Sequence, residues 1–353
     1  MKYGVLFLPT YVPECDGSEA QAYRHLLEQV DHAEALGYES VWLTEHHFQY
    51  YGGLVPSPPI LAAAIAQRTR RLRIGMGVTL LPFHRPVRVA EDLAMVDILS
   101  AGRLDWGVGR GFLQWEYQNL GVPMEESRER FAECLAIVLK AWTEDPFTYE
   151  GRFFQYRDLS VIPRPVQRPH PPVWFAATAS EESFQLAGQR GYHLLTIPHT
   201  QPAEEIGRKI QLYRQALAAA GHDPASRHVF ARYYVYVAET SAQARREVEE
   251  PFLRNFALSE RANALGSAHP PSVRQRQRKS YEESVREHQM LFGSVEECVE
   301  HVRWVRDTLG IDYLGASFWF GGLAQDKVLR SMALFMQEVV PRVEAQPALP
   351  ARR

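Results

Sequence analysis

Short apolar runs and helix-period patterns alternate along most of the chain. Tyr3–Pro9 (YGVLFLP) reads as a first β-strand, and the pattern after it puts Leu26, Val30 and Ala33 on one helical face. That face ends at Gly37, a residue that accepts the left-handed conformation of a helix C-terminus. Further strands are predicted at Ser40–Glu45, Leu72–Pro82, within Gly102–Gly111, and at Pro172–Thr178, Tyr192–Ile197, Val229–Glu239 and Ile311–Trp319. Ser57 followed by Pro58 marks a helix start, the serine as a side-chain cap and the proline in the first turn. Ile206, Ile210, Tyr213 and Leu217 share one later helix face, and Val328, Met332, Phe335 and Val339 share another.

Eight strands with helices between them predict an α/β protein, a closed TIM-type (β/α)8 barrel with a long insertion before the final strand. Many of the strands are apolar on both faces, as a parallel sheet covered by helices requires. A doubly wound sheet is the alternative, but GMGVTL (75–80) and GVGRGF (107–112) lack the third glycine of a dinucleotide fingerprint. Residues 1–346 are read as one domain. Within it, 255–292 breaks the repeat, either as an active-site lid or as a solvated excursion. Its Arg274, Arg276, Arg278 and Lys279 form a local basic cluster, and residues 347–353 read as a flexible tail.

Composition narrows the partners. A formal net charge of -3 over 353 residues gives no field to attract nucleic acid or an anionic membrane. Cys15, Cys134 and Cys298 are far apart and fit no metal-ligand or disulfide spacing, so a cytoplasmic protein is expected. The N-terminal apolar run is too short for a secretory segment, and no run approaches the roughly 20 residues of a membrane span.

In a barrel the chemistry belongs at the C-terminal ends of the strands. Glu45-His46-His47 falls there, after the second strand, where a carboxylate can fix imidazole tautomers and an imidazole can move protons near neutral pH. A structural polar cluster is the plainer reading. Metal binding is set aside because no second histidine follows at ligand spacing. Arg110, flanked by glycines after the fourth strand, suits a phosphate, and Arg128 opens a following helix. Ser180 and Ser183 sit at another helix start, where hydroxyls and free amides form an anion site, although ordinary capping also explains Ser180. Phe83, Phe112, Trp115, Trp174, Trp319 and Phe320 occur near strand ends and are candidates to line a flat apolar pocket, or are simply core.

These stretches resemble the bacterial luciferase-like flavin monooxygenases, especially the alkanal-monooxygenase-type branch. The resemblance runs through MKYGVLFLPTY, GYESVWLTEHHF (37–48), the long segment 72–111 ending in WGVGRG, ESRERFAEC (126–134), WFAATASEESFQLAGQRG (174–191) and GSVEECVEHV (293–302). It implies a TIM barrel that takes noncovalent reduced FMN from a separate NAD(P)H-dependent flavin reductase. Molecular oxygen is then used on a small, hydrophobic organic substrate. It implies His46 as the catalytic residue beside Glu45, and Arg110 and Arg128 at the flavin phosphate with Ser180 and Ser183. It also implies an unusual cis peptide at Gly77-Val78, and a homodimer formed through the early barrel helices. An F420-dependent oxidoreductase and a noncatalytic flavin-binding or partner subunit are the other readings. Gly109 stands where the light-emitting enzymes carry a reactive cysteine, and Thr178-Ala179 replaces an acidic residue near the phosphate turn, so light emission is not expected.

Overall fold

The computed structural model describes residues 1–267 and 280–346. Each of the eight expected strands forms: β1 (Lys2–Phe7), β2 (Ser40–Leu43), β3 (Arg73–Leu80), β4 (Leu104–Gly109), β7 (Val173–Ala176), β8 (His193–Thr196), β9 (Val229–Ala238) and β11 (Tyr313–Ser317). All pair in parallel, and the β8–β9, β9–β11 and β11–β1 pairings close them into a barrel. Closure leaves no exposed edge among them. The chain is therefore a TIM barrel.

Side chains pointing inward fill the barrel. Trp42, Trp174, Phe230 and Tyr313 interlock there with Leu6, Leu8 and Leu195, the Trp42 and Trp174 rings meeting edge to face at 5.1 Å. Glycine is required where strands carry these rings: a Cβ on Gly75 would lie 2.1 Å from the Trp42 ring. The larger apolar layer lies between the strands and the surrounding helices and includes Val30, Ile65, Leu93 and Ile137. Among the described residues no helix is long and apolar enough to cross a membrane.

Three local features differ from the sequence expectation. Ser57 does begin the helix Pro58–Arg68, but its hydroxyl makes no capping bond, and the proline alone sets the first turn. A two-stranded antiparallel hairpin, β5 (Phe147–Glu150) and β6 (Gln155–Leu159), stands outside the barrel, and β10 (Leu291–Ser294) extends β9 in parallel from Val235 to Ala238. The helix Ser241–Ala264 continues well past Asn255. Its inner face turns polar there, with Asn255 and Ser259 buried, so the apolar period stops before the helix does. Thr10 donates to Asn255 Oδ1 at 2.5 Å, which satisfies that buried amide oxygen. The basic cluster Arg274, Arg276, Arg278 and Lys279 and the tail 347–353 lie outside the described residues.

Candidate active site

A cavity of about 330 Å³ opens at the C-terminal ends of the strands. It is lined by His46, Gly77, Val78, Arg110, Phe112, Ser180 and Ser183 among others, and it also includes one oxygen-rich residue, Glu45. Seven of the eight expected catalytic and cofactor-binding residues thus converge on one space, and Arg128 is the exception.

The histidine segment is organised by two carboxylates from different elements. Glu45 is buried, and its Oε1 accepts from His84 Nε2 at 2.7 Å and His47 Nε2 at 3.2 Å, while Oε2 accepts from the Leu80 amide at 3.0 Å. Burial alone would raise its pKa. The hydrogen bonds from His47 and His84, the charge of His84 and the Leu80 amide outweigh burial and hold it at about 2. Glu45 therefore ties the loop after β2 to the end of β3, and it does not touch the His46 ring. That ring is held instead by Glu116, from the short helix Gln114–Asn119: His46 Nδ1 donates to Glu116 Oε1 at 3.0 Å, and the His47 amide donates to the same oxygen at 2.9 Å. With Nδ1 engaged, Nε2 is the His46 nitrogen left to a ligand or a proton. Phe112 packs edge to face on the imidazole at 6.0 Å.

The floor between β3 and β4 is narrow. The Gly77-Val78 peptide is cis, as the resemblance implied, and the β3–β4 register shifts between Met76 and Thr79. A Cβ on Gly109 would stand 2.5 Å from Val78 Cγ2, so the glycine leaves room for Val78 against β4. Arg110 follows at once. Its side chain is exposed to the cavity mouth, and its guanidinium forms no ion pair or hydrogen bond with a described residue.

The helix Glu181–Gln189 starts at Ser180, whose hydroxyl does not cap it and instead meets Ser183 Oγ at 2.8 Å. Its first-turn amides are therefore not satisfied by that side chain, an arrangement suited to an anion. The preceding loop is tied from behind: Gln201 Nε2 donates to the Thr178 carbonyl, and Lys209 Nζ donates to the Ala179 carbonyl at 2.6 Å. Arg128 is largely exposed and pairs with Glu182 at 3.5 Å in the first turn of this helix. It stands at the same mouth without forming part of the wall, which is contributed by its buried neighbour Ser127.

Of the aromatic candidates only Phe112 lines the cavity. Trp174 stacks on His193 at 4.3 Å inside the barrel, and Trp319 donates to Asp16 Oδ1 at 3.1 Å. Both are core residues, Trp174 because it lies near the start of β7, deep in the barrel rather than at its C-terminal mouth. Phe83 packs on Tyr117 at 4.6 Å, one layer behind the wall, and Trp115 and Phe320 are likewise absent from it. Sequence reasoning passed over Glu116, Thr196 and Arg232. The last two line the cavity and keep a buried Thr196 Oγ1 and a buried Arg232 Nη2 without partners among the described residues.

Relatives in sequence include flavin-dependent and other monooxygenases, and the same architecture also serves F420-dependent enzymes. The chain is 26% identical to the oxygenase component of flavin-dependent trigonelline monooxygenase from Acinetobacter baylyi, over 92% of this chain and 91% of that one. The crystal structure of monooxygenase RslO1 from Streptomyces bottropensis matches with a TM-score of 0.87 at 32% identity, covering 97% of this chain and 99% of that chain. The fold is also that of the oxygenating constituent of 3,6-diketocamphane monooxygenase from Pseudomonas putida, solved with FMN, at a TM-score of 0.81, 23% identity and 100% coverage of both chains. The class defined by these relatives is the flavin-dependent oxidoreductases. Within it the chain belongs to the luciferase-like monooxygenase family, whose model matches residues 1–312.

Proposed function

We propose that this protein is the oxygenase of a two-component system, using reduced FMN and molecular oxygen on a small, hydrophobic organic substrate. The observation that carries this reading is the single cavity joining the His46–Glu116 pair to the Arg110, Ser180 and Ser183 mouth. The chemistry of the donors fits FMN. The mouth offers a free guanidinium, two hydroxyls and the start of a nine-residue helix to a phosphate. Leu6, Leu8, Val78, Leu195 and Phe230 give the inner wall the apolar surface a flat ring system needs.

Reduced flavin, when bound, supplies the electrons that make oxygen reactive. The residues of the chain do the rest. Glu116 accepts the Nδ1–H of His46 and so turns Nε2 toward the cavity as the nitrogen that exchanges a proton. From there His46 accepts a proton and returns it as the substrate is oxygenated. Arg110 neutralises phosphate charge at the mouth, and the apolar wall keeps water from the reacting centre. Arg128 with Glu182 forms the outer edge of that phosphate site, and Glu45 supports it only through the loops it ties together. The reductant is delivered by a separate NAD(P)H-dependent reductase, the chain acts in the cytoplasm with its three cysteines free, and it works as a homodimer.

Anaerobic titration with reduced FMN and with reduced F420 tests the cofactor. Tight binding of FMN alone is expected, and tight binding of F420 alone would replace this reading. The purified chain is expected to consume NADH only when a flavin reductase is added. Turnover of NADH by the chain by itself would remove the two-component arrangement.

A further inference from the structure

A smaller cavity of about 60 Å³ branches from the first and shares His46, Phe112 and Arg232 with it. Arg232 sits in the middle of β9 with 4% of its surface exposed. Its Nε donates to Ser317 Oγ at 3.2 Å, and its guanidinium carbon lies 3.8 Å from the centre of the Tyr234 ring. Nη2 is buried and has no hydrogen-bond partner among the described residues. No carboxylate among the described residues pairs with it, and neither 268–279 nor 347–353 contains an aspartate or glutamate. A guanidinium does not give up its proton, so burying one without an anion is strongly unfavourable until an anion arrives.

The surrounding groups do not supply that anion. His199, in the same side cavity, is held uncharged because burial and the charge of Arg232 push its pKa well below the usual value. Burial first, and the neighbouring Tyr234, push the Tyr51 hydroxyl up, so it too stays neutral. Two further buried donors or acceptors are unspent nearby, Thr196 Oγ1 in the larger cavity and His199 Nδ1 in the smaller. Asn263 donates its Nδ2 to the Ser259 carbonyl, while its Oδ1 has no partner among the described residues and as an acceptor suits a bound water. One water needs about 10–15 Å³ of such space, so the side cavity has room for a carboxylate head and the carbon attached to it.

We propose that this side cavity is an acid pocket for the substrate: the substrate carries a carboxylate that Arg232 binds, with its carbon skeleton running past Phe112 and His46 into the larger cavity. The proposal rests on the oxygenase reading only in placing the rest of the substrate beside His46. It makes this enzyme selective for organic acids over neutral molecules of the same shape.

The test is calorimetric titration of the FMN-loaded protein with two pairs of probes, benzoate against benzamide and butyrate against butyramide. Each acid is expected to bind at least about tenfold more tightly than its amide, the strength of one charge-assisted hydrogen bond. Arg232→Met should bring the acids down to the amides while leaving FMN affinity unchanged. Equal binding of acids and amides by the wild-type protein overturns the proposal. So does an Arg232→Met protein that still prefers the acids, and loss of FMN in that variant would give Arg232 to the flavin instead. If Arg232→Met does not fold, the wild-type comparison decides by itself. A wild-type protein that binds no FMN defeats the oxygenase reading, and the same acid–amide titrations on that flavin-free protein still decide the acid pocket.

Discussion

His46 and Arg110 face one cavity from different strands, and their chemistries predict different losses. His46→Ala is expected to keep flavin affinity and to slow oxygenation by about 10²–10⁴, the usual contribution of a positioned acid–base group. Glu116→Gln should show a smaller loss of the same kind, about tenfold or more, because it weakens the hydrogen bond that sets the His46 tautomer. Rapid mixing of the reduced-flavin complex with oxygen reads both, and wild-type kinetics in His46→Ala would end its catalytic assignment. Arg110→Ala should instead raise the FMN dissociation constant about ten- to a hundredfold, with turnover recovered at saturating flavin. Normal FMN affinity in that variant would move the phosphate to Arg128 and the Ser180 turn. The sequence made the positions of His46 and Arg110 readable because each lies just past a strand end, His46 within a Glu-His-His cluster and Arg110 between two glycines. It did not reveal Glu116, since that partnership spans 70 residues and rests on how two loops fold against each other. Arg232 did leave a signal: the one charge in VFARYYVYVA (229–238), a strand buried along its whole length. Such a charge is out of place in a buried strand unless something meets it.

At the scale of elements, the loops after β2 and β3 are held to each other by Glu45, and that junction is pH-dependent. The Glu45 pKa lies at about 2 in the folded protein, below its ordinary 4.5, so its contribution is complete above pH 4.5 and is lost as pH falls through about 2. His84 has a raised pKa, since the Glu45 hydrogen bond and charge overcome burial, so its contribution is complete below 6.5 and is lost as pH rises through the raised value. Glu45→Gln should therefore cost the most stability, on the order of 3 kcal/mol, between about pH 4.5 and 6.5. Urea unfolding at a series of pH values checks this: the gap to wild type should close as pH falls toward 2, and a gap that stays constant would show that the ion pair is not its source. The barrel strands were legible because burial on both faces leaves continuous apolar runs. The β5–β6 hairpin was not, for its strands are largely exposed and alternate weakly, as in FTYE. The end of the helix Ser241–Ala264 was missed for the opposite reason, a buried face that becomes polar.

The whole molecule leaves apolar side chains uncovered on the helices that flank the early strands. Ile60 on Pro58–Arg68, and Met95, Ile98 and Leu99 on the adjacent Pro86–Leu99, are all exposed. Single exposed apolar residues are ordinary, but several on two neighbouring helices mark a surface that association would bury. Two copies related by a two-fold axis can bury the same helices against each other, since each then presents the surface that the other requires. This is the interface expected for the proposed homodimer, and it lies on the outer helices, apart from the cavity proposed to take flavin. Sedimentation over a range of concentrations should find wild-type protein as a dimer. The double variant Met95→Glu with Ile98→Glu places charges on the proposed interface and should shift it to monomer, with FMN affinity retained because neither residue lines the cavity. A wild-type chain that stays monomeric under assay conditions contradicts the dimer. A double variant that remains fully dimeric keeps the dimer but moves its interface away from these helices.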